Sequence, residues 1–262
     1  MHIVVCIKQV PASNKVDVDP VTGVLKRSGT ESKMNPYDLY ALETALRIRE
    51  QAGGEITAVT MGPGQAQTVL REAFAMGADH GVLLSDRRFA GADVLATSRA
   101  LSQAIRRLGS FDLILTGKQT TDGDTAQVGP EISEWLNIPC AANVRGIEQL
   151  REGDITVRME LPDAVEISRI AFPCLLSVDK DIFMPRLPSY LRKKASADRE
   201  ITVWSLDDMS DTDPEHYGLS GSPTQVQRIC PPEPHGDREL WTGDAPALTQ
   251  RLFDRLSDMK FI

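Results

Sequence analysis

Hydrophobic and polar positions follow two alternating periods through about the first 140 residues of the chain. Near-continuous apolar runs separated by polar turns are typical of strands that are buried on both faces. These runs predict strands at 2–10, 55–61, 80–86 and 111–117. Between them, apolar residues recur at steps of three and four, which predicts helices at 36–52, 64–78 and 94–108. The alternation of strand and helix predicts an α/β fold with a doubly wound parallel sheet.

The pattern changes after about residue 140, where short alternating segments replace the longer apolar runs. The segments NVRGIEQL, DITVRME, AVEISRI and PCLLSVD predict short strands, which we expect to be antiparallel additions to the sheet. An earlier alternating stretch at 16–27 surrounds a Pro and Gly turn and predicts a small hairpin.

The C-terminal part of the chain is mostly polar. From residue 205 onward Asp, Ser, Pro and Gly dominate, and apolar residues are too few to build a separate core. A final amphipathic helix places these apolar residues on one face: Leu248, Leu252, Phe253, Leu256 and Met259. Two interpretations fit this pattern equally, because the helix either wraps another subunit or packs back on its own domain. The predicted organisation is an α/β domain at 1–200 and a C-terminal arm at 201–262.

Composition narrows the class of protein. The 262 residues include 29 Lys and Arg against 37 Asp and Glu, and the net charge of −8 disfavours nucleic acid as the main partner. The four cysteines form no C-x-x-C pair, so we expect reduced thiols and a cytoplasmic location. The N-terminal segment lacks the basic head of a signal peptide, and no apolar run is long enough to predict a membrane span.

The stretch TGKQTTDGDTAQVGPE at 116–131 is the main candidate site. It follows a predicted buried strand and therefore lies at the carboxyl edge of the sheet, where parallel α/β folds bind their ligands. The shorter loops at 8–13, 34–38 and 61–64 are expected at the same edge. Neither the G-x-G-x-x-G fingerprint nor the Walker phosphate loop is present, so the sequence contains no standard nucleotide motif.

Physical arguments leave two interpretations of this stretch open. Asp122 and Asp124 would repel a phosphate, but backbone N–H groups around Gly123, Thr125 and Gln127 are able to bind one at the start of the next helix. Alternatively, the stretch is a solvated loop in which Asp124 and Gln127 form a capping box. Two Asp side chains are a weak metal signal, and we predict no metal site. The four histidines are scattered, so no catalytic residue is assigned.

Several motifs occur together in a fixed order: KQVP, MNPYDLYALE, VTMGP, AMGAD and GKQTTDGDTAQVGPEISEWL, then LPSYLRKK and GSPTQVQRICPP. Together they resemble the beta subunit of electron-transfer flavoprotein over essentially the whole chain. The resemblance implies an α/β domain related to adenine nucleotide alpha hydrolases, with an arm at 201–262 that wraps an alpha subunit. It also implies a heterodimer that carries electrons between a flavin dehydrogenase, such as an acyl-CoA dehydrogenase, and a redox partner.

The resemblance further implies an adenine-nucleotide site at the carboxyl edge. Its matching positions are Cys6, Asn35, Pro36, Tyr37, Asp38, Met61, Thr120, Thr121, Asp122, Gly123, Asp124, Thr125, Ala126, Gln127, Val128 and Gly129. Tyr37 takes the aromatic position that approaches the FAD held mainly by the alpha subunit. The family's docking anchor for the dehydrogenase falls on Leu187, within PRLPSYLRKK at 185–194.

The loop sequence bears on which nucleotide is bound. In members that hold AMP the loop resembles D-D-D-x-N-Q-T-G-Q, whereas here Gly123 replaces an Asp, and Ala126 and Val128 replace polar donors. Fewer side chains leave more room and bare backbone, which suits a pyrophosphate. The D-G-D-T-x-Q-V-G-P and S-P-T-Q-V-x-R forms resemble members that bind a second FAD and bifurcate electrons. The resemblance thus implies FAD, NADH as electron donor, and ferredoxin or flavodoxin as low-potential acceptor.

Two alternatives to this interpretation stay open. The first is the same subunit with AMP as a structural ligand and without bifurcation. The second, from another class, is a stand-alone adenine-nucleotide-binding protein on a similar fold. The sequence lacks the S-G-G-x-D-S loop of ATP pyrophosphatases, and the second alternative leaves the C-terminal segment without a role.

Overall fold

A computed structural model describes residues 1–12, 31–227 and 239–262; the predicted hairpin at 16–27 lies outside the described residues. The strands are β1 (His2–Cys6), β2 (Gln9–Pro11), β3 (Ser32–Met34), β4 (Glu55–Met61), β5 (His80–Leu84), β6 (Leu113–Gly117), β7 (Cys140–Leu150), β8 (Asp154–Glu160), β9 (Val165–Ala171), β10 (Cys174–Val178) and β11 (Thr202–Trp204). The helices are α1 (Pro36–Ala52), α2 (Gln67–Met76), α3 (Val94–Leu108), α4 (Val128–Leu136), α5 (Tyr190–Ala195) and α6 (Ala245–Asp258).

Nine of these strands form one sheet, in the order β11-β5-β4-β1-β6-β10-β7-β8-β9. Neighbouring strands from β11 to β7 are parallel, and β8 and β9 extend the sheet antiparallel. The chain first adds β4 and β5 on one side of β1 and then crosses to β6 on the other side. This reversal creates a crevice at the carboxyl ends of β1 and β6. The predicted doubly wound α/β fold is confirmed.

Helices cover both faces of the sheet and create two hydrophobic cores. α1 and α2 bury side chains such as Leu42 and Leu70 against one face, whereas α3 and α4 bury Ile105 and Ile132 against the other. Complete burial of one such side chain contributes about 1.5–3 kcal/mol, so these apolar stripes drive the layered arrangement. No helix within the described ranges is both long and apolar enough to cross a membrane.

The structure corrects two of the predicted strands. The first strand ends at Cys6 rather than Val10, because Gln9–Pro11 turns away to pair with Ser32–Met34 as a separate two-stranded ribbon. The antiparallel arrangement expected for PCLLSVD is wrong, since Cys174–Val178 inserts parallel between β6 and β7. All five residues of this strand are buried, as is typical of a central parallel strand.

Residues after 200 divide into two structural parts. β11 joins the edge of the sheet beside β5, and Leu206, Met209 and Tyr217 are buried in the same core as α3. The polar segment after 205 therefore adds three side chains to an existing core, although it builds none of its own. In contrast, α6 buries no side chain within the described part of the chain. The predicted wrapping arm at 201–262 stays a prediction, and its first part packs on the sheet domain.

Candidate nucleotide-binding site

The structure brings the predicted site residues to the carboxyl edge of the sheet. Cys6 ends β1, where it is paired with Val59 of β4 on one side and Thr116 of β6 on the other. Met61 ends β4 at the same edge. The loop at 118–127, called the nucleotide loop below, continues from β6 into α4. These positions surround the crevice that the sheet topology creates.

A buried polar cluster connects three segments at this edge. Asn35 Nδ2 donates to the Gln119 carbonyl at 2.9 Å and to Asp38 Oδ1 at 3.0 Å. Asn35 Oδ1 accepts the Thr121 N–H at 3.3 Å, and Asp38 Oδ2 accepts the Lys8 N–H at 2.7 Å. Both side chains, Asn35 and Asp38, are buried. They tie the end of β1 and the start of α1 to the nucleotide loop.

The environment of this cluster shifts two pKa values upward. Burial raises the pKa of Asp38 to about 7, although hydrogen bonds from Asn35, Lys8 and Gly117 oppose the shift. Burial, together with the negative charge of Asp38, also raises the pKa of Cys6 to about 12. Cys6 is therefore a neutral thiol near pH 7, so it lines the crevice without acting as a nucleophile.

Protein donors hold both carboxylates of the nucleotide loop. Lys8 Nζ lies 2.8 Å from each oxygen of Asp122, and Gln119 Nε2 donates to Asp124 Oδ1. Burial alone would raise the pKa of Asp122, but the hydrogen bond and charge of Lys8 keep it below its usual value. The described residues contain no group of three or more His, Cys, Asp or Glu arranged to bind a metal ion. The loop acids are therefore engaged by the protein.

The N-terminus of α4 is left without a side-chain cap within the described ranges. The predicted capping box is wrong, because Gln127 occupies the N-cap position while Asp124 bonds to Gln119. The N–H groups in a first helical turn have no partner within their own helix, so the cap normally supplies one. An uncapped N-terminus attracts anions, because its amides and the helix dipole both present positive charge.

A close contact below this helix leaves one hydroxyl unpaired. A Cβ on Gly129 would lie only 2.6 Å from Thr116 Oγ1, so glycine is needed for α4 to approach β6. The Thr116 hydroxyl is buried and has no hydrogen-bond partner in the described part of the chain. Such a group costs about 1–3 kcal/mol when it stays unsatisfied, which favours a site that a polar ligand or water completes.

The nucleotide loop includes two unusual backbone conformations. Asp124 has φ 54° and Ala126 has φ 58°, in the left-handed region that costs roughly 1–2 kcal/mol for residues other than glycine. Gly123 does not have such a φ, and a Cβ there would meet only Thr120 Oγ1 at an ordinary 3.4 Å. The fold therefore tolerates a side chain at position 123, and glycine there is not required by the loop itself.

The segment at 185–194, called the docking loop below, places apolar side chains at the surface. Leu187 is 88% exposed, and Tyr190 and Leu191 are exposed beside it. The base of the loop is fixed, because Arg186 Nε donates to Glu43 Oε2 at 2.8 Å. Glu43 is buried, and hydrogen bonds from Arg186 outweigh its burial to keep its pKa below the usual value.

Three residues that shape the site lie in the predicted segments 8–13 and 116–131 but were not assigned to it individually: Lys8, Thr116 and Gln119. Lys8 belongs to the KQVP motif and Gln119 to GKQTT, so the motifs themselves pointed toward both positions. The pairs Lys8 with Asp122 and Gln119 with Asp124 could not be predicted, because no periodic pattern in the sequence indicates which loop side chains are in contact.

Comparisons with known proteins fit this geometry. Residues 22–209 match the family described as "Electron transfer flavoprotein domain". The chain belongs to the electron transfer flavoprotein family. It is 45% identical over 264 residues to the electron transfer flavoprotein subunit beta of Thermoanaerobacterium thermosaccharolyticum, covering 100% of both chains.

Two further relatives carry other names. Protein FixA of Azorhizobium caulinodans is 41% identical over 273 residues, which cover 97% of this chain and 95% of the relative. The caffeyl-CoA reductase-Etf complex subunit CarD of Acetobacterium woodii is 43% identical over 244 residues, which cover 93% and 92%. The chain is thus an electron-transfer component of the beta-subunit type, which implies an alpha-subunit partner and a dehydrogenase complex.

Proposed function

We propose that this chain binds FAD at the carboxyl edge of its sheet and that this FAD takes hydride from NADH. The electrons then leave one at a time. One route leads to the alpha-subunit FAD and its dehydrogenase, and the other leads to ferredoxin or flavodoxin. The proposal combines the family membership with the form of the nucleotide loop. The observation that carries it is the uncapped start of α4, because Lys8 and Gln119 hold both loop carboxylates through their own contacts.

The donors at this edge fit the anionic part of FAD. The first N–H groups of α4, at Val128 and Gly129, would bind its pyrophosphate. The ion pair between Lys8 and Asp122 lowers the repulsion that a loop acid would otherwise exert on a phosphate. The nucleotide loop from Thr120 onward, with Asn35 to Asp38, Cys6 and Met61, would complete the site.

Bound FAD would supply the redox chemistry, because flavins accept two electrons as hydride and release them one at a time. The chain contributes positioning and a controlled electrostatic environment. Cys6 stays protonated and therefore does not attack the ring. Tyr37 packs against Gly117 in the first turn of α1, and we infer that it is the residue nearest to the alpha-subunit flavin.

The heterodimer with its alpha subunit provides the direct test. Flavin is counted per heterodimer by absorbance, the released nucleotides are identified by mass spectrometry, and NADH is added without oxygen. We expect two FAD per heterodimer and bleaching of the flavin spectrum by NADH. One FAD together with AMP, and no bleaching, would establish the AMP alternative. A monodisperse chain that binds a nucleotide but no alpha subunit would favour the stand-alone alternative.

The docking loop is proposed to bind the dehydrogenase. The name of the CarD relative places that protein in a complex with a CoA-ester reductase, so an acyl-CoA dehydrogenase is the partner class that we propose here. Leu187 supplies the exposed apolar anchor, while Lys193 and Lys194 are exposed cations able to steer an acidic partner. Arg192 contributes less to steering, because its guanidinium donates to the Met76 carbonyl at 2.7 Å.

Truncation of the anchor tests this role. Leu187→Ala should slow electron transfer between the heterodimer and the dehydrogenase by about tenfold, because a central interface anchor contributes about 1–2 kcal/mol or more. Flavin content should not change. Leu161→Ala removes another exposed leucine, in the β8–β9 hairpin, and serves as the matched control. An unchanged rate for Leu187→Ala would eliminate the docking proposal.

A further inference from the structure

Asn35 does not use its side chain in the way that its position suggests. It precedes α1, where an Asn side chain normally caps the helix, yet it forms no side-chain cap bond. Its amide extends instead to the nucleotide loop, where Nδ2 donates to the Gln119 carbonyl and Oδ1 accepts the Thr121 N–H. A carbonyl and an N–H two residues apart are the groups that a neighbouring β-strand would pair with.

We propose that Asn35 is a positioning residue, whose amide pairs with the backbone of residues 119 and 121 and thereby sets the path of the nucleotide loop into α4. Asn35 is fully buried, and its Nδ2 group already donates to both Gln119 and Asp38. The side-chain amide is therefore engaged by the protein, and it acts on the nucleotide through the loop. Only the identity of the ligand rests on the proposed function.

Asp38 makes this pairing directional. Its Oδ1 accepts from Asn35 Nδ2 at 3.0 Å, and its Oδ2 is held by the Lys8 N–H at 2.7 Å. If the Asn35 amide were flipped, its oxygen would face both the Asp38 carboxylate and the Gln119 carbonyl, which are acceptors. Asp38 thus selects the orientation in which Asn35 Oδ1 meets Thr121. The Asn35 amide aligns the loop with the first helix, and Asp38 connects both to the end of the first strand.

Loss of the amide should release the loop without unfolding the sheet. Gln119 and Thr121 would lose a partner in a partly buried setting, whereas β6 keeps its pairing with β1 and β10. Residues 122–127 carry few other ties, chiefly Lys8 to Asp122 and Gln119 to Asp124. The expected consequence is local opening of the loop that leads into α4.

Hydrogen exchange on the purified heterodimer tests the loop directly. In Asn35→Ala, and in Asn35→Asp near pH 8, amides of residues 119–127 should exchange at least about tenfold faster than in the unmodified protein. Amides of β6 should be unchanged, which shows that the fold is retained. Gln149→Glu, an amide-to-acid change at an exposed position of β7, is the matched control. Equal exchange in the loop would overturn the proposal.

A pH profile separates positioning from simple loss of structure. In Asn35→Asp a second carboxyl lies beside Asp38, and the two would share a proton as the pH falls. The shared proton restores a donor toward Gln119 or Asp38, so retention of added FAD should recover between about pH 8 and about pH 5.5. In Asn35→Ala, Asp38 also takes up a proton in this range, but residue 35 regains no donor toward Gln119, so retention should not recover. Cys6, Lys8 and Asp122 also face this cluster, and they are common to both variants.

The outcomes distinguish this inference from the proposed function. If the unmodified heterodimer retains AMP and no second FAD, the proposed function fails, and retention of AMP replaces that of FAD in the profile. Faster loop exchange with acid recovery in Asn35→Asp would still support the positioning role. Matching profiles for Asn35→Asp and Asn35→Ala would overturn it, whichever nucleotide is bound.

Discussion

The carboxyl edge of the sheet and the exposed segments, the docking loop and α6, are built in opposite ways. At the edge, the buried side chains of Asn35 and Asp38 bond to each other, to the Lys8 N–H and to the Gln119 carbonyl, so they connect three segments. In the exposed segments, apolar side chains such as Leu187 and Phe253 lie in water. The difference is what we expect if the chain itself organises the proposed nucleotide site, and if partners cover the exposed segments.

This contrast has a physical reason. A ligand site gains affinity when its groups are fixed before binding, because less conformational entropy is lost in the complex. A docking surface gains affinity by burying apolar area that was exposed, at about 25 cal/mol per Å². The docking loop combines both features, since Arg186 fixes its base against Glu43 while Leu187 stays exposed.

The largest effect is expected from a carboxylate at position 123. The fold accepts a side chain there, since a Cβ meets only Thr120 Oγ1 at 3.4 Å. Gly123→Asp should therefore fold normally but repel a pyrophosphate and block its approach. We expect bound flavin to fall from two to one per heterodimer, and reduction by NADH to be abolished. Absorbance spectra with and without NADH measure both effects.

Gly123→Ala separates the size of the new side chain from its charge. It adds the Cβ without the carboxylate, so most of the second flavin should be retained if charge repulsion dominates. Equal loss of flavin in both variants would show that the Cβ alone is responsible, because it keeps the ligand from approaching the protein backbone closely. Full flavin content and normal NADH reduction in Gly123→Asp would contradict the proposed position of the pyrophosphate.

The sequence predicted the bounds of some helices and strands but not the order of all strands in the sheet. The bounds of α1 and β4 agree with the predicted 36–52 and 55–61, because Pro36 and the Gly pair after α1 are local signals. The place of β10 in the sheet was not predicted, since strand order depends on contacts between distant segments. A continuous buried run, CLLSV, was the available signal for a central strand.

The site was predictable as a region but not as a network. Loop composition and motifs located the carboxyl edge, yet the pairing of Lys8 with Asp122 joins positions that are more than a hundred residues apart. The capping box failed for a related reason, because Gln119 competes for Asp124 from within the same loop. Local patterns report periodicity and caps, whereas side-chain pairs between segments follow only from the folded arrangement.

Deletion of residues 240–262 tests whether the exposed C-terminal segment binds the alpha subunit. α6 buries no side chain within the described part of the chain, and Phe253, Phe261 and Ile262 are exposed. The dissociation constant for the alpha subunit should rise at least about 100-fold, because apolar anchors of this kind dominate interfaces. The melting temperature of the truncated chain alone should stay close to that of the full chain. Unchanged stoichiometry and thermal stability of the heterodimer would contradict the wrapping-arm proposal.

Arg186→Ala should give the next largest effect, on the free energy of unfolding. Glu43 is buried and would keep only Arg47 as a charged partner, at 2.9 Å. We expect a loss of about 3 kcal/mol, because the buried carboxylate loses one of its two cationic partners and is costly to keep charged. Glu50→Gln removes the exposed partner of the same arginine and should cost less than about 1 kcal/mol. Urea unfolding measures both, and similar small values would show that the loop base is not anchored by Glu43.

The smallest effect concerns how stability depends on pH. The pKa of Asp38 is raised to about 7 in the folded protein, above the 3.8 of an ordinary aspartate, chiefly because it is buried. The folded state therefore holds the proton more tightly, and the associated stability declines as the pH rises toward and through 7. Asp38→Asn removes this titration. Between about pH 5 and about pH 8, the unfolding free energy of the unmodified protein should fall by about 2–3 kcal/mol more than that of the variant.

Asp122→Asn is the control for this measurement, because Lys8 lowers the pKa of Asp122 and its contribution is lost only at more acidic pH. Urea unfolding at several pH values should give parallel curves for Asp122→Asn and the unmodified protein, and a flatter curve for Asp38→Asn. If the Asp38→Asn curve is parallel as well, then Asp38 is ionised throughout this range. The hydrogen bonds from Lys8, Asn35 and Gly117 would then outweigh burial, and the buried cluster would owe its order to a charge and not to a neutral acid.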